Sequence, residues 1–376
     1  MRWLFYADTP LQLYLSARIA LTELSAGDEA EVMVCEQFPH AYKQADCLVK
    51  EGIFDKAHFC KPFGSRKRSF KAQAKSFLGM TDFDPRTITH ERFDRLAVSI
   101  FLDITMSLAV GLRKANPDLE VILYEDGTGA YDGEAFQSSV YLGDLPDGIR
   151  PRNRRAKMTR FLSKLMPMKP NAFTPSLLLL REPEAFPFTT PFPVRKIGST
   201  PETAARVAHC FNDKPLPTLK PGIIFLDSPR TPLEHIQDHS AFDKLIKYCH
   251  DQRFVCQLRE HPRTQKQSIY ADLCEDCSES LWESLCRQPA VSESVLVSAG
   301  STAQITPFLE TGKKPRLLFI YQLLLEPSNP YIPIYAEIVE LAKRLYGYET
   351  ADRLICDASS LKEALGFIEH SMRSSS

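Results

Sequence analysis

The chain has 376 residues, enough for two domains that each bury a core of their own. Apolar residues make up 44% and charged residues 25%, the balance of an ordinary globular protein. A formal net charge of −1 argues against a partner held by bulk charge, nucleic acid above all.

Met1-Arg2 leads straight into Trp3-Leu4-Phe5-Tyr6-Ala7, an apolar run too short for a secretory leader, which reads as a first strand. Pro10–Leu24 follows as a helix, with Leu11, Leu15 and Ile19 at helical spacing and proline in the first turn. Glu31–Cys35 is a second strand. Helices are expected around 40–52 and 89–115, flanking a weak strand near His58–Cys60. Glu120–Tyr124 is a strand that ends in Glu125-Asp126-Gly127-Thr128-Gly129. From about 183 to 221 the chain carries eight prolines, the composition of a linker. Beyond it the alternation restarts. Strands are expected at Gly222–Leu226, Arg253–Leu258, Val295–Val297 and Arg316–Ile320. Helices are expected at 240–250, after Thr302, at Ala336–Leu345 and at Leu361–Met372.

Strand–helix alternation on both sides of a linker implies two doubly wound parallel sheets. The expected organisation is a Rossmann-like domain over 1–195, a proline-rich linker over 196–221, a second Rossmann-like domain over 222–358, and a helix with a tail over 359–376. Two such domains facing a central cleft make the GT-B arrangement. Periodicity does not separate it from other two-domain α/β enzymes, so the motifs have to.

Ligands of open α/β sheets bind at the carboxyl ends of strands, and the polar motifs cluster there. The acid pair Glu125-Asp126 follows one strand, with Gly127 and Gly129 turning the chain. Arg259-Glu260-His261-Pro262-Arg263 follows another, about 135 residues later. Ser298-Ala299-Gly300-Ser301-Thr302 lies between a strand and a helix. Backbone N–H groups and hydroxyls at such a helix N-terminus suit a phosphate, and Ser301 or Thr302 equally suits a plain N-cap. Asp8, Thr9 and Gln12 end the first strand. Asp227-Ser228-Pro229-Arg230 ends the first strand of the second domain.

Thr9-Pro10-Leu11-Gln12, Glu125-Asp126-Gly127, His261-Pro262 and Ser301-Thr302, taken in order, resemble motifs of the bacterial sialyltransferases. The likeness is to the lipooligosaccharide sialyltransferases (glycosyltransferase family 52) and their polysialyltransferase relatives. The resemblance implies an inverting, metal-independent transfer from CMP-sialic acid, with no further cofactor. It implies a glycan acceptor on the N-terminal domain, the nucleotide on the C-terminal domain, and it allows a homodimer. Asp126 becomes the expected base and Glu125 the alternative, since alternate side chains of a strand point to opposite faces. An acid pair that merely caps a turn is the structural alternative. His261 would act as the acid on the leaving phosphate, with Pro262 fixing its backbone and Arg263 adding charge. Ser298, Gly300, Ser301 and Thr302 would hold the phosphate. Glu283 would hold the ribose or be a solvated helix charge. Thr9, Gln12, Gly127, Asp227 and Arg230 are expected near the sugars, Arg230 as a candidate for the sialic carboxylate.

Two rivals stay open: a transferase of another CMP-activated keto-sugar, and a non-catalytic, membrane-peripheral glycan-assembly protein. Residues 150–169 hold eight Lys/Arg and no acid, interleaved with Met158, Phe161, Leu162, Leu165 and Met166. Such a helix lies on an anionic membrane or packs on its own domain by the apolar stripe. Cytoplasmic location, with peripheral contact at the inner membrane, is the expectation. The ten cysteines read as reduced thiols, and Cys274-Glu275-Asp276-Cys277 as a surface thiol pair, lacking the second pair a zinc site wants.

Overall fold

Trp3–Ala7 is buried along its whole length in the first strand, β1 (Arg2–Ala7), as a parallel strand covered on both faces must be. The computed structural model describes residues 1–61, 92–99, 103–131, 175–212, 215–228, 236, 238–261 and 269–373. The chain divides into two units, Met1–Cys210 and Phe211–Ser376.

In the first unit β1 is followed by α1 (Pro10–Glu23), β2 (Glu29–Cys35), α2 (Ala41–Lys50) and β3 (Lys56–Cys60). Then come β4 (Arg95–Val98), α3 (Asp103–Ala115), β5 (Glu120–Tyr124), β6 (Leu177–Leu180), β7 (Val194–Lys196) and α4 (Pro201–His209). The strands pair in parallel in the order β3-β2-β1-β4-β5-β6-β7. Thr9 caps α1 by accepting from the Gln12 backbone N–H at 3.2 Å, and Pro10 occupies the first turn, where a missing N–H is harmless.

The second unit runs β8 (Ile223–Leu226), α5 (Ser240–Asp251), β9 (Cys256–Arg259), β10 (Glu275–Asp276), α6 (Trp282–Leu285), α7 (Pro289–Glu293), β11 (Val295–Ser298) and α8 (Thr302–Thr311). It closes with β12 (Arg316–Phe319), α9 (Tyr321–Leu324), α10 (Ile332–Tyr346), α11 (Tyr348–Leu354), β13 (Ile355–Asp357) and α12 (Leu361–Arg373). Its sheet, again parallel, has the order β10-β9-β8-β11-β12-β13.

Each unit thus builds outward from its first strand to one edge, then returns and builds to the other. That is the Rossmann order, with switch points between β1 and β4 and between β8 and β11. Two Rossmann-like domains, of seven and six described strands, fit a GT-B α/β fold.

The structure corrects several expectations. The segment 89–115 is not one helix, because Arg95–Val98 is a central strand between β1 and β5. Leu177–Leu180 and Val194–Lys196 are strands too short for a period to reveal. Within 196–221, expected as linker, Pro201–His209 is a helix packed on α1, and the units divide after Cys210. Cys274 and Cys277 are buried rather than surface thiols, since they flank the edge strand β10 and Cys277 donates to the Leu258 carbonyl at 3.2 Å. The basic stretch 150–169 lies outside the described residues. No helix among the described residues is long and apolar enough to cross a membrane.

Candidate functional site

In the first unit the ends of β1 and β5 bring Asp8, Gln12 and Asp126 together. Tyr124 sets the frame: its hydroxyl donates to the Tyr6 carbonyl at 2.5 Å and receives a bond from Ser16 at 3.1 Å, so β5 is tied to β1 and α1. Two residues on, Asp126 is half-buried, and its Oδ1 accepts from Gln12 Nε2 at 2.9 Å. Burial pushes its carboxyl above the ordinary range, the Gln12 bond partly offsets this, and the charge of Glu125 adds to it. Gly127 turns the chain away at φ +60°, a conformation that costs a residue with a Cβ. Asp8 is buried beside this point and is pushed up to about 6, first by burial and then by the charge of Asp126.

Glu125 has a different fate. It is fully buried, and Arg181, at the end of β6, grips its Oε1 through Nε at 2.9 Å and Nη2 at 2.5 Å. Its Oε2 accepts from the Arg181 backbone N–H and from the Tyr131 hydroxyl, both at 2.8 Å. Both oxygens are therefore held inside the protein, and the side chain fastens β5 to β6. Adjacent acids have become one anchor and one carboxyl with an oxygen to spare. Arg181 and Tyr131 were not anticipated, because the sequence gives no sign of a partner 56 residues away.

In the second unit Arg259 organises the end of β9. Its side chain is half-buried, lies with the guanidinium 5.7 Å from the Trp282 ring centroid, and donates to the carbonyls of Cys277, Ser278 and Ser280. Burial lowers its pKa, and the charge of nearby Glu283 opposes that. Ser278 accepts from the Glu260 N–H at 2.8 Å, fixing the chain just before half-buried His261. Trp282 Nε1 donates to the Ala303 carbonyl at 2.7 Å, which links this loop to the first turn of α8. Glu283 is 6% exposed, so it is not a solvated helix charge.

The Ser298–Thr302 loop is internally braced. Ser298 donates to Gln304 Oε1 at 2.5 Å and accepts from the Ser301 N–H at 3.0 Å. Ser301 is the N-cap of α8, receiving the Ala303 N–H at 3.2 Å within a capping box. These two hydroxyls serve the loop itself. Gly300 has φ +154°, and a Cβ there would stand 2.4 Å from the Tyr335 ring. Asp227 ends β8, where its Oδ1 accepts from the Ser228 N–H at 2.9 Å. Pro262, Arg263 and Arg230 lie outside the described residues.

No protein-family model and no curated protein matches the sequence. Among solved structures the chain is similar to the UDP-GlcNAc 2-epimerase of Neisseria meningitidis bound to UDP-GlcNAc, at 10% identity over 100% of both chains with a TM-score of 0.49. It is similar to the GT-B domain of a sialyltransferase from Photobacterium damselae, at 10% identity over 91% of this chain and 97% of that one, TM-score 0.48. It is also similar to the glycotransferase of kitacinnamycin, at 11% identity over 100% and 97%, TM-score 0.48. At these identities no residue role and no activity passes from them to this chain.

Proposed function

We propose that the chain is an inverting glycosyltransferase that moves sialic acid from CMP-sialic acid to a sugar hydroxyl of a bacterial surface glycan. The donor rests on the motif resemblance, and the observation that carries the choice of base is the inequality of the two adjacent acids. Glu125 is locked to Arg181, while Asp126 is a half-buried carboxyl with a raised pKa at the carboxyl edge of a parallel sheet. A general base works best when its pKa approaches the working pH, and burial moves Asp126 that way.

In the reaction, Asp126 takes the proton of the attacking hydroxyl as its oxygen bonds to the anomeric carbon. The bond from that carbon to the phosphate oxygen breaks, and the phosphate keeps the electron pair. His261 donates a hydrogen bond or proton to that oxygen as charge grows on it. With the Ser298 and Ser301 hydroxyls engaged in the loop, the phosphate contacts fall to backbone N–H groups and Thr302 at the start of α8. Glu283, beside Arg259, is the candidate for the ribose. Pro262 and Arg263 are assigned to the donor side, and Thr9, Gly127, Asp227 and Arg230 to the vicinity of the sugars, which buried Gln12 serves through its bond to Asp126. The acceptor class is a lipooligosaccharide galactose or a capsule or sialic acid chain.

Thermal unfolding with cytidine, uridine and guanosine nucleotides tests the donor assignment. A ligand at a hundredfold excess over its Kd adds about 2.7 kcal/mol to the folded state. Stabilisation by CMP alone, lost in His261→Ala, is the expected result. Selective stabilisation by a uridine nucleotide would discard sialic acid, and no response to any nucleotide would remove the transferase reading.

A further inference from the structure

Asp8 stands apart from the acid pair in sequence and beside Asp126 in space, and the side chain of Gln12 joins the two. Gln12 Oε1 accepts from the Asp8 backbone N–H at 2.8 Å, and Nε2 donates to Asp126 Oδ1 at 2.9 Å. With Oε1 committed, the amide has one orientation, and Nε2 must face Asp126. Gln12 also favours the ionised Asp8 carboxyl, as does Gln37 from beyond the end of β2. Gln12 is 1% exposed and sits in the first turn of a capped helix, so the bridge is built into the fold. Because Oδ1 of Asp126 is held, Oδ2 is the oxygen left for a substrate hydroxyl.

The ionisable groups beside the pair are acids, and the tyrosines among them stay protonated, their hydroxyls pushed up by burial. Among the described residues, besides the Gln12 and Gln37 amides, the groups that act on Asp8, or that it acts on, are Asp126, Tyr6, Cys35, Cys60 and Tyr124. Those around Asp126 are Gln12, Glu125, Asp8 and Tyr124. None of these is a cation, and the Arg181 guanidinium is bound to Glu125. The charge of Asp126 raises the Asp8 carboxyl, so the second of these two acids to ionise does so against the charge of the first.

We propose that Asp8 and Asp126, bridged by Gln12, form one proton-holding pair at the carboxyl edge of the first sheet. Asp126 touches the substrate, Asp8 tunes its basicity, and Gln12 positions it. The proposal rests on the transferase reading for what the proton is used for. The proton leaves the acceptor hydroxyl for Asp126 Oδ2 while the hydroxyl's electron pair forms the new C–O bond. The pair then holds that proton until it passes to water. Asp8 and Gln12 are positioning residues, since neither is argued to touch the reacting atoms.

The test is a titration of the unliganded protein, labelled with carboxyl-13C aspartate and followed by NMR, in wild type, Asp126→Asn and Asp8→Asn. Asp8 is expected to titrate near 6 in wild type. Its midpoint should fall by about one unit in Asp126→Asn, the coupling that defines an interacting pair. By reciprocity the Asp126 midpoint should fall in Asp8→Asn. If one variant fails to fold, the other reads the same coupling. Gln12→Leu should broaden or shift the Asp126 signal while circular dichroism stays native. Midpoints that ignore the partner's substitution would overturn the pair. The titration needs no turnover, so it stands even if CMP-sialic acid proves not to be the donor. Where turnover is seen, Asp8→Asn should move the acidic limb of kcat to lower pH with KM unchanged, and an unmoved limb would equally overturn the proposal.

Discussion

Breaking the Arg181–Glu125 pair from either side should cost more than any other single exchange at the candidate site. Arg181 is 1% exposed and Glu125 0%, and Arg181 supplies three of the four hydrogen bonds to that carboxylate. Arg181→Met deletes the two side-chain bonds and strands a carboxylate out of water. Breaking a buried pair from one side costs about 3–5 kcal/mol. A unit of this size shifts its melting temperature by about 2–4 °C per kcal/mol, so a fall of roughly 6–20 °C is expected. Glu125→Leu should cost a similar amount by stranding the guanidinium. The double variant Arg181→Met/Glu125→Leu should recover most of the loss, because neither charge is then left buried alone. The chain has two tryptophans, Trp3 in the first unit and Trp282 in the second, so a Trp282→Phe background lets fluorescence follow the first unit alone. Two single variants each costing under about 1 kcal/mol, or a double variant equal to their sum, would refute the anchor role of Glu125.

The remaining predictions concern pH and the second unit. Asp8 is held at about 6 when folded against an ordinary 3.8, so the folded state binds more protons than the unfolded state between those values. Stability therefore falls as pH rises through that window, by about 3 kcal/mol at 1.36 kcal/mol per unit. Asp8→Asn should accordingly melt higher than wild type at pH 8 and no higher at pH 3.5, and an equal gain at both would contradict the sign. Gly300→Ala should lower the melting temperature and speed amide exchange across 298–304. Its Cβ would meet a Tyr335 ring already stacked on Tyr321 at 5.5 Å, and such overpacking costs about 1–3 kcal/mol. Unchanged exchange and melting would mean that Tyr335 yields freely.

Much of the architecture was legible in the sequence because its signals are local. Trp3–Ala7 followed by Thr9-Pro10 is a strand, an N-cap and a first turn within nine residues. Glu120–Tyr124 followed by Gly127 is likewise complete in itself. β4 was not legible: Leu96, Ala97 and Val98 are buried in the middle of a sheet, show no alternation, and run towards an apolar helix, so periodicity merges the two. Leu177–Leu180 has the same difficulty, since four leucines suit a buried helix as well as a buried strand. At the site, the sequence supplied both acids but not which one was occupied. Strand alternation says that they differ, and only Arg181, arriving from β6, decides how. Asp8 was visible as a strand-end residue, yet its nearness to Asp126 depends on β1 and β5 flanking β4 in one sheet. The Ser298–Thr302 loop lies between a strand and a helix, as its sequence indicates, while the commitment of Ser298 to Gln304 is a contact across the cap that the sequence does not show.

The most direct test of the account is transfer itself, run with CMP-sialic acid and a galactose-terminated acceptor in the presence of a metal chelator. Product configuration would be read by proton NMR and CMP release by chromatography. The account predicts a product of inverted anomeric configuration. It predicts that Asp126→Asn lowers kcat by about 10²–10⁴-fold, the usual contribution of a general base, with CMP binding intact. A product of retained configuration, or an Asp126→Asn variant that turns over like wild type, would contradict it.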